Sequence, residues 1–443
     1  MEGNQEERSR FRPKIEPAGG AFFWLCAFWF VYCARPEDWI PGLHYIPLAK
    51  ITGAMTVFGL LTSGRKGKRS LRDLPLEGRV LVALDLFLVS TALISPVWRT
   101  GAFLRALDFA KGGVAWVLTF LVVTNLDRLI RLCMIQAASV SMVAIVSVLK
   151  GGRTPRLEGV LNGMYFNAND LAFALVLSLP FCVALLIQTK SLPAKIWWVV
   201  GMLFMGVALM LTASRAGFIC LLFAGAVMLW HFAVKGKRPM LIVITLLVGS
   251  VLFLSVGRKL VARLYATTGD VGNEQSAYGS YLQRKQGMYE AMGTIARYPL
   301  YGIGVSNFIS YGGQWREVHN AYLQMGAEGG VPALVLYLIF LARGFSNLRR
   351  IRKKQKTQTL HPEIVLFAGA LHATLIGFVV GAMFGPEAYQ LFAYIAVAKT
   401  SVIWALVEEG GGDAVSVPSK RPRISIYDRA ASLAGAGRNL ALR

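Results

Sequence analysis

Residues 196–234 read IWWVVGMLFMGVALMLTASRAGFICLLFAGAVMLWHFAV and contain two apolar runs, 196–211 and 216–234, separated by the segment TASR. An α-helix needs roughly 20 apolar residues to cross the hydrocarbon core of a bilayer, and each run approaches that length. Because the connection is so short, the two helices must run antiparallel beside each other. This stretch therefore predicts a helical hairpin that spans a membrane.

Similar apolar runs recur along the 443-residue chain, which is 55% hydrophobic and only 16% charged. A soluble globular domain does not tolerate so apolar a composition. Inside lipid, a run of this length satisfies its backbone polar groups by forming a helix. We predict an all-α, polytopic integral membrane protein of about twelve transmembrane helices, which occupies residues 21–406. The twelve predicted spans are 21–34, 46–61, 80–94, 113–124, 132–149, 171–187, 196–211, 216–234, 240–256, 322–341, 364–384 and 389–406.

The distribution of lysine and arginine predicts how the chain faces the membrane. Most of the 47 Lys and Arg residues fall on one side once the spans are numbered, and short basic loops stay in the cytoplasm. This pattern places both basic tails, residues 1–20 and 407–443, in the cytoplasm, and the second tail is predicted to be mostly disordered. The longest loop, 257–318, then lies outside, between the ninth and tenth spans.

The net charge of +23 does not indicate nucleic-acid binding. The cations flank apolar spans, which is the pattern of topology signals and of contacts with anionic membrane lipids. All five cysteines lie inside predicted spans, where we expect them to behave as small hydrophobic side chains. No cluster of Cys, His or carboxylate residues falls on the outer face, so the sequence predicts neither a metal site nor a cofactor.

Arg215 ends the short TASR connection and must therefore lie at the membrane boundary. The small residues around it let backbones approach closely, and its guanidinium could hold a phosphate with two hydrogen bonds. The alternative is an interfacial arginine whose side chain only extends to the lipid headgroups.

The long outer loop is predicted to contain an amphipathic helix, because Tyr281, Met288, Met292 and Ile295 recur with helical spacing. Arg284 falls on the same stripe, three residues after Tyr281 and four before Met288. A charge on an apolar face requires a partner, which an anionic ligand or a carboxylate would provide. In the alternative, the helix lies on the membrane and Arg284 reaches headgroup phosphates.

His319 is predicted near the outer boundary of the tenth span. A neutral imidazole there could accept a proton from an alcohol, as general-base catalysis of glycosyl transfer requires. The alternative is a structural histidine. Asp85 is the one clear acidic residue in the predicted spans, so the carboxylate chain expected of a proton-coupled transporter is missing. Lys399, in the last span, is predicted either to reach the cytoplasmic face or to pair with Asp85.

Four motifs resemble those of the O-antigen ligase and O-antigen polymerase family. They are NANDLA at 167–172, TASRAG at 212–217, ARYPLYGIGVSNF at 296–308, and HNAYL at 319–323 followed by EGG at 328–330. The resemblance runs from about residue 160 to residue 345, and the first 150 residues match only in hydropathy. The order, spacing and outer placement of the motifs together make the chain similar to this family.

Members of that family transfer a glycan from an undecaprenyl diphosphate carrier to an acceptor hydroxyl outside the cytoplasmic membrane, without a metal, on an all-helical scaffold. The resemblance implies that Arg215 and Arg284 hold the diphosphate and that His319 activates or orients the acceptor. A diphosphate leaving group needs its charge neutralised, which fixed guanidinium groups can supply. The residues expected to support this site are Asn167, Asn169, Ser214, Asn320 and Glu328.

One departure from the family concerns the acceptor. Many members carry a second histidine two residues before the one that His319 matches, and here that position is Glu317. The acceptor implied is the lipid A core for a ligase, another repeat unit for a polymerase, or a protein Ser or Thr for a protein-glycosylation enzyme. We favour a polymerase or a ligase for exported polysaccharide. The expected location is the bacterial cytoplasmic (inner) membrane, with the site facing the periplasm.

The main alternative function is a flippase for lipid-linked oligosaccharides or another transporter, for which twelve spans are also common. A major-facilitator transporter places its longest loop in the cytoplasm, between spans six and seven. The longest loop here is predicted outside, between spans nine and ten, which favours the enzyme.

Overall fold

The computed structural model describes residues 19–62, 69–151, 156–157, 165, 167–256, 260–261, 275–311 and 317–410. Most of both predicted cytoplasmic tails and part of the predicted outer loop lie outside these residues, so the predicted disorder of the C-terminal tail stays a prediction. No β-strand occurs within the described ranges. The long helices are α1 (Gly20–Ala34), α2 (Leu48–Thr62), α3 (Leu76–Leu93), α4 (Arg99–Val122), α5 (Leu126–Lys150), α6 (Ala168–Gln188), α7 (Leu192–Thr212), α8 (Arg215–Leu229), α9 (Met240–Val256), α10 (Gln275–Arg297), α11 (Ala321–Thr357), α12 (Pro362–Gly381) and α13 (Leu391–Glu409).

Each predicted span overlaps one of these helices, and α10 is the additional helix predicted in the outer loop. Among the described residues, seven helical segments are long and apolar enough to cross a membrane: α5, α6, α7, α8 with its continuation, α11, α12 and α13 with the turn before it. α1, α2 and α9 are shorter apolar helices. The predicted all-α, polytopic fold is confirmed, and the number of crossings stays a prediction.

The fourth predicted span, 113–124, covers only the second half of its helix. α4 begins at Arg99, and its first half carries Arg105 and Asp108. Charged side chains interrupt the apolar run there, although the backbone continues as helix. An apolar window therefore locates the lipid-compatible part of a helix and not its beginning.

The core of the helical assembly lies around α6. This helix packs against α5, α7, α8 and α12, and side chains from nearly every face of it, such as Leu171 and Phe181, are buried. α3 packs against α4 and α11, and α13 packs against α4, α11 and α12. α9 lies at the edge of the assembly against α7, with Leu246 and Leu254 exposed, as expected for a helix that faces lipid.

α11 is interrupted at Gly330, whose φ of 77° and ψ of 176° are not helical. The N–H of Val331, which this break frees, donates to the Pro299 carbonyl oxygen at 2.7 Å. A β-carbon at residue 330 would lie 2.6 Å from the carbonyl carbon of Leu300, so only glycine fits. The break therefore holds the segment that begins at Pro299 against the first turns of α11.

Buried polar side chains join distant spans. The Glu77 carboxylate at the start of α3 accepts hydrogen bonds from Ser401 Oγ at 2.7 Å and Asn347 Nδ2 at 2.6 Å, and it lies 3.4 Å from Arg343 Nε. Glu77 is fully buried and lies three residues before the predicted third span, so sequence reasoning did not single it out.

Lys399 neither reaches the cytoplasmic face nor pairs with Asp85, so both predicted alternatives are wrong. The side chain of Lys399 is buried, its ammonium donates to Gln136 Oε1 at 2.6 Å, and it lies 4.6 Å from the centre of the Phe181 ring. Deep in the helical assembly, an amide oxygen and an aromatic face thus stabilise the Lys399 ammonium in place of water.

Candidate functional site

The NANDLA motif forms the beginning of α6. Asn167 is the N-cap residue, and its side-chain oxygen accepts a hydrogen bond from the Asn169 N–H at 2.9 Å. This bond satisfies one of the free N–H groups at the helix start. Asn167, predicted as a supporting site residue, is therefore explained locally as a helix cap.

The TASRAG motif forms the turn between α7 and α8. Ala213 adopts a left-handed conformation with φ of 46°, and Ser214 is the N-cap of α8, accepting from the Gly217 N–H at 3.1 Å. A β-carbon at residue 217 would lie 2.6 Å from the Ala172 β-carbon, so glycine allows α8 to approach α6 closely. The cap and the close approach fix the position at which Arg215 starts the helix.

Asn169 connects these two motifs. Its side-chain oxygen accepts a hydrogen bond from Ser214 Oγ at 2.8 Å and another from Arg156 Nη2 at 3.0 Å. Arg156 Nε also donates to the Thr212 carbonyl oxygen at 2.9 Å. The predicted supporting residues Asn169 and Ser214 are therefore brought together, and Arg156 is a member of the network that sequence reasoning missed.

Asn320 begins α11 and joins it to the end of α12. Its side-chain oxygen accepts from the N–H groups of Tyr322 and Leu323, both at 3.0 Å, and its amide nitrogen donates to the Met383 carbonyl oxygen at 3.3 Å. The residue is buried. His319, which immediately precedes this cap, is therefore held at a fixed point in the helical assembly.

Glu328 orders the GIGVSNF turn. One carboxylate oxygen accepts from the Ser306 N–H at 2.8 Å and from the Tyr389 hydroxyl at 2.7 Å, and the other lies 3.4 Å from the Phe308 nitrogen. Glu328 is buried, so these donors replace the water that its carboxylate would otherwise bind. Its contacts support a structural role in shaping the segment that precedes His319.

α10 presents three different faces. The protein face contains Gly287, Ala291 and Thr294, which are buried, and a β-carbon at residue 287 would lie 3.5 Å from the Glu317 carbonyl oxygen. The polar face has Gln283, Gln286, Glu290 and Arg297. The third face is apolar and exposed; its members are Tyr281, Leu282, Met288, Tyr289 and Met292.

This arrangement corrects the predicted apolar stripe of α10. Tyr281, Met288 and Met292 share the exposed face, but Ile295 packs towards Gly326, and Arg284 is half-buried on the side of the protein face. Each residue of a helix is rotated by 100° from the previous one, so residues three or four apart are not fully aligned. Arg284 therefore lies at the border between the apolar face and the protein face. Arg284 consequently points to the site and not to the exposed apolar surface.

Arg284 and His319 form the electrostatic centre of the site. His319 is half-buried, and burial, together with the positive charge of Arg284, lowers the pKa of its imidazole from 6.5 to about 4. The imidazole is therefore neutral at neutral pH and keeps a lone pair that can accept a proton. A guanidinium and a neutral imidazole thus lie within electrostatic range of each other.

Three carboxyl groups act electrostatically on one another, and sequence reasoning singled out only one of them, Glu317. Asp170 in the first turn of α6 and Glu387 before α13 hydrogen-bond through their side chains, and Glu317 is close enough to act electrostatically on both. Two carboxyl groups can share a hydrogen bond only when one of them holds a proton. Glu387 is buried, and the only sequence signal for it was an acidic residue at the outer end of a span.

The site residues therefore come from separate parts of the chain. Asn169, Ser214 and Arg215 lie at the adjoining starts of α6 and α8, while Arg284, His319 and Asn320 lie where α10 and α11 meet. Glu317 and the Asp170–Glu387 pair connect the two groups. Within the described ranges, no three His, Cys, Asp or Glu side chains are arranged to hold a metal ion. The predicted independence from metal stays a prediction.

Comparison with known proteins supports the family resemblance. A family model described as O-Antigen ligase matches residues 200–338, which confirms over this segment the family predicted from the sequence motifs. Arg215, Arg284 and His319 lie within the matched segment, whereas Asn167 and Asn169 precede it. No curated protein matches the chain.

Proposed function

The chain carries an O-antigen ligase domain over residues 200–338, and from this premise we propose which reaction it catalyses. The protein moves a glycan from an undecaprenyl diphosphate carrier to an acceptor hydroxyl at the outer face of a bacterial cytoplasmic membrane. Arg215 and Arg284 bind the diphosphate, and His319 is the general base. The observation that carries this proposal is the neutral, half-buried imidazole of His319 beside the Arg284 guanidinium.

The reaction needs one proton acceptor and one stabilised leaving group. The acceptor oxygen attacks the anomeric carbon of the donor sugar while the bond from that carbon to the diphosphate oxygen breaks. The acceptor proton moves to the free imidazole nitrogen of His319, and the carrier leaves as its diphosphate. General-base catalysis of this kind contributes roughly 10²- to 10⁴-fold in rate.

The proximity of Arg284 to His319 couples these two requirements. In the empty site, the positive charge of Arg284 opposes protonation of the imidazole. A bound diphosphate neutralises that charge, and the negative charge that develops on the leaving oxygen favours an imidazolium nearby. The proton affinity of His319 therefore rises when the glycan donor is bound and its bond to the diphosphate is breaking.

Arg215 contributes from the other group of site residues. Its place at the start of α8 puts its guanidinium beside the helix N-terminus, where backbone N–H groups also favour an anion. The hydrogen bonds from Ser214 and Arg156 to Asn169 hold that helix start against α6. Asn169 and Ser214 are therefore positioning residues in this proposal, and Asn320 and Glu328 do the same for His319.

We favour a polymerase or a ligase for exported polysaccharide, whose acceptor is another repeat unit or the lipid A core. A protein hydroxyl is the alternative acceptor. Mass analysis of carrier-linked glycans in a deletion strain separates these cases, because single carrier-linked repeat units indicate a lost polymerase and long carrier-linked chains indicate a lost ligase.

An assay without a membrane barrier distinguishes a glycosyltransferase from a transporter. Purified protein in detergent, given carrier-linked glycan and acceptor, should release free carrier diphosphate and yield glycosylated acceptor. A flippase forms no new glycosidic bond under these conditions. Absence of product from active-site-intact protein with every acceptor class would overturn the transferase proposal.

A further inference from the structure

Three neighbouring helices, α1, α2 and α4, have apolar parts that are shorter than the thickness of an ordinary bilayer. α1 and α2 have 15 residues each and pack against each other along their lengths. A β-carbon at Gly59, near the end of α2, would lie 2.7 Å from the Ala21 nitrogen at the start of α1. A β-carbon at Gly53 would lie 3.6 Å from the Phe28 ring, so the two helices run side by side. A helix of 15 residues rises about 22 Å, whereas the hydrocarbon core of a typical bilayer is about 30 Å thick.

Charged side chains bracket the apolar part of α1. Near its beginning, the Arg128 guanidinium lies 5.2 Å from the centre of the Phe22 ring and donates to the Val122 carbonyl oxygen at 3.0 Å. At its end, Arg35 Nε donates to the Asp38 carboxylate at 2.9 Å. Charged groups are costly within hydrocarbon, so the two guanidinium groups mark its limits. From Phe22 to Arg35 the chain rises about 20 Å, and any tilt of α1 would reduce this distance along the membrane normal.

α4, which packs against α1 and α2, has a similarly short apolar part. The Lys111 ammonium donates to the Asp108 carboxylate, and the two side chains are 60% and 58% exposed. At the other end of α4, Arg69 Nη1 donates to the carbonyl oxygens of Phe120 and Val123 at 3.1 and 3.0 Å. An exposed ion pair belongs in water or among headgroups and not in hydrocarbon. From Lys111 to Val123 the chain rises only about 18 Å.

Beyond α5, the helices match a bilayer of ordinary thickness. α5 packs against α1 and also against α6 and α7. α6 and α7 have 21 residues each, and α12 has 20. Helices of this length rise about 30 Å. The apolar part of the assembly is therefore thinner at α1, α2 and α4 than at α6, α7 and α12.

The exposed face of α2 indicates which partner covers it. Phe58 and Leu61 are exposed, and Lys50 is exposed on the same face, about two and three turns before them. The apolar side chains suit acyl chains, and the Lys50 ammonium suits the headgroups at their limit. A short apolar helix is accommodated by thinning of the bilayer or by association with a second copy. A second copy would bury the Lys50 charge, so the composition of this face favours lipid.

We propose that α1, α2 and residues 111–123 of α4 form a thin edge, at which the hydrocarbon layer of the membrane narrows from about 30 Å to about 20 Å. The three helices cross the membrane there, as the sequence predicts. The thin edge adjoins the candidate site, because Tyr32 Oη of α1 accepts the Leu391 N–H at 3.0 Å, and Leu391 follows the turn Glu387–Tyr389. Headgroups of the outer leaflet therefore lie closer to the bilayer midplane beside that turn. The thin edge is a property of the helix lengths and is independent of the proposed transfer reaction.

Nitroxide depth measurements in dioleoylphosphatidylcholine vesicles test the thin edge. The single-cysteine variants are Ile51→Cys and Leu61→Cys in α2, where both side chains are exposed. The matched controls are Trp197→Cys and Val207→Cys, which have the same spacing in α7 and are also centred near the middle of their helix. Collision rates of each label with oxygen and with nickel ethylenediaminediacetate give its depth, and labelled wild-type protein gives the background from the native cysteines. We expect the α2 labels to lie about 5 Å closer to water than the α7 labels, which is half of the proposed thinning.

Lipid chain length provides the second measurement. In the shorter dimyristoleoylphosphatidylcholine, the α7 labels should become shallower while the α2 labels keep their depth. Equal depths of the two pairs in the dioleoyl lipid would overturn the proposal. Low oxygen collision rates at both α2 labels would mean that a second copy covers this face, and access to both labels from one side of sealed vesicles would mean that α2 does not cross; either result contradicts the thin edge. None of these measurements needs a substrate, so failure of the proposed transfer reaction would leave them unchanged.

Discussion

Ser214 Oγ donates a 2.8 Å hydrogen bond to the side-chain oxygen of Asn169, and this contact joins the start of α8 to the first turn of α6. Ser214 also caps α8 through the Gly217 N–H. The residue thus performs two tasks at the helix start that carries Arg215.

We expect Ser214→Ala to lower the free energy of unfolding by about 1 kcal/mol or more, the usual effect of losing an N-cap. Because Arg215 then loses its fixed helix start, KM for the glycan donor should also rise, and Ser214→Thr should restore both quantities. Thermal unfolding and donor titration measure them. Ser191→Ala is the control, since Ser191 is the N-cap of α7 without a side-chain hydrogen bond. An equal effect at both serines contradicts the prediction.

Replacement of either Arg215 or Arg284 by Ala should remove several kcal/mol of transition-state stabilisation, roughly 3 to 4 kcal/mol by analogy with lost electrostatic donors. Lysine should rescue only partly, because it keeps the charge and loses the two-pronged contact with phosphate. The measurement is kcat/KM for glycan transfer in membranes with matched protein levels. Arg297→Ala, at the exposed end of α10, is the control. Unchanged glycan transfer in both the Arg215 and the Arg284 variants would favour a transporter over a glycosyltransferase.

The pKa of His319 predicts an unusual pH profile. A base with a pKa of about 4 in the free protein stays neutral through mild acid, so kcat/KM should hold down to about pH 5. The Arg284→Gln variant lacks the positive charge that is the smaller cause of the low His319 pKa. The pH at which kcat/KM falls in acid should therefore be higher in this variant. This acid limb is measured on the residual activity of this variant. An acid limb in the same place contradicts the coupling of Arg284 to His319.

The same residue links pH to stability. His319 takes up a proton near pH 6.5 in the unfolded chain but only near pH 4 in the folded protein. The free energy of unfolding therefore decreases as the pH falls through that window. The loss is at most about 3 kcal/mol. His319→Gln should flatten this part of the stability curve and abolish base catalysis. Retained full transfer in His319→Ala would eliminate the base role.

The Asp170–Glu387 hydrogen bond predicts which substitutions the carboxyl pair tolerates. If one partner already holds a proton, then Glu387→Gln keeps a donor and an acceptor, and its unfolding free energy should change by less than about 1 kcal/mol. Glu387→Ala leaves a buried polar neighbour without its partner and should be much more destabilising. Denaturant unfolding of the two variants measures the difference. Equal destabilisation by Gln and Ala would contradict the shared hydrogen bond, whereas stabilisation by Gln would indicate two ionised carboxylates that repel each other.

The charge distribution predicts the topology. A reporter fused after Lys237 or Lys353 should be active in the cytoplasm, and one inserted in the 266–278 stretch should be active outside. Cytoplasmic activity at 266–278 would place the proposed site in the wrong compartment and remove the basis for the transferase.

Hydropathy predicted the helices well because a backbone in lipid has few alternatives to helix. A motif singled out His319 and helical spacing singled out Arg284, and the structure places the two within electrostatic range, while their roles stay predictions. Sequence reasoning missed Arg156, Asp170 and Glu387, whose contacts depend on how separate helices pack. No local periodicity encodes such contacts. Arg284 was assigned to the wrong face of α10 because the apolar face and the protein face are neighbours on that helix.

The Glu77 contacts have a consequence for how the protein is made. Its hydrogen-bonding partners Asn347 and Ser401 are 270 and 324 residues later in the chain, and Arg343 is 266 residues later. When α3 leaves the ribosome, none of them has been synthesised. The carboxylate must therefore remain hydrated, or be shielded by the insertion machinery, until α11 and α13 arrive. Stable integration of the N-terminal helices is thus completed only by the last spans, and truncation before residue 401 should leave α3 open to quality-control proteolysis.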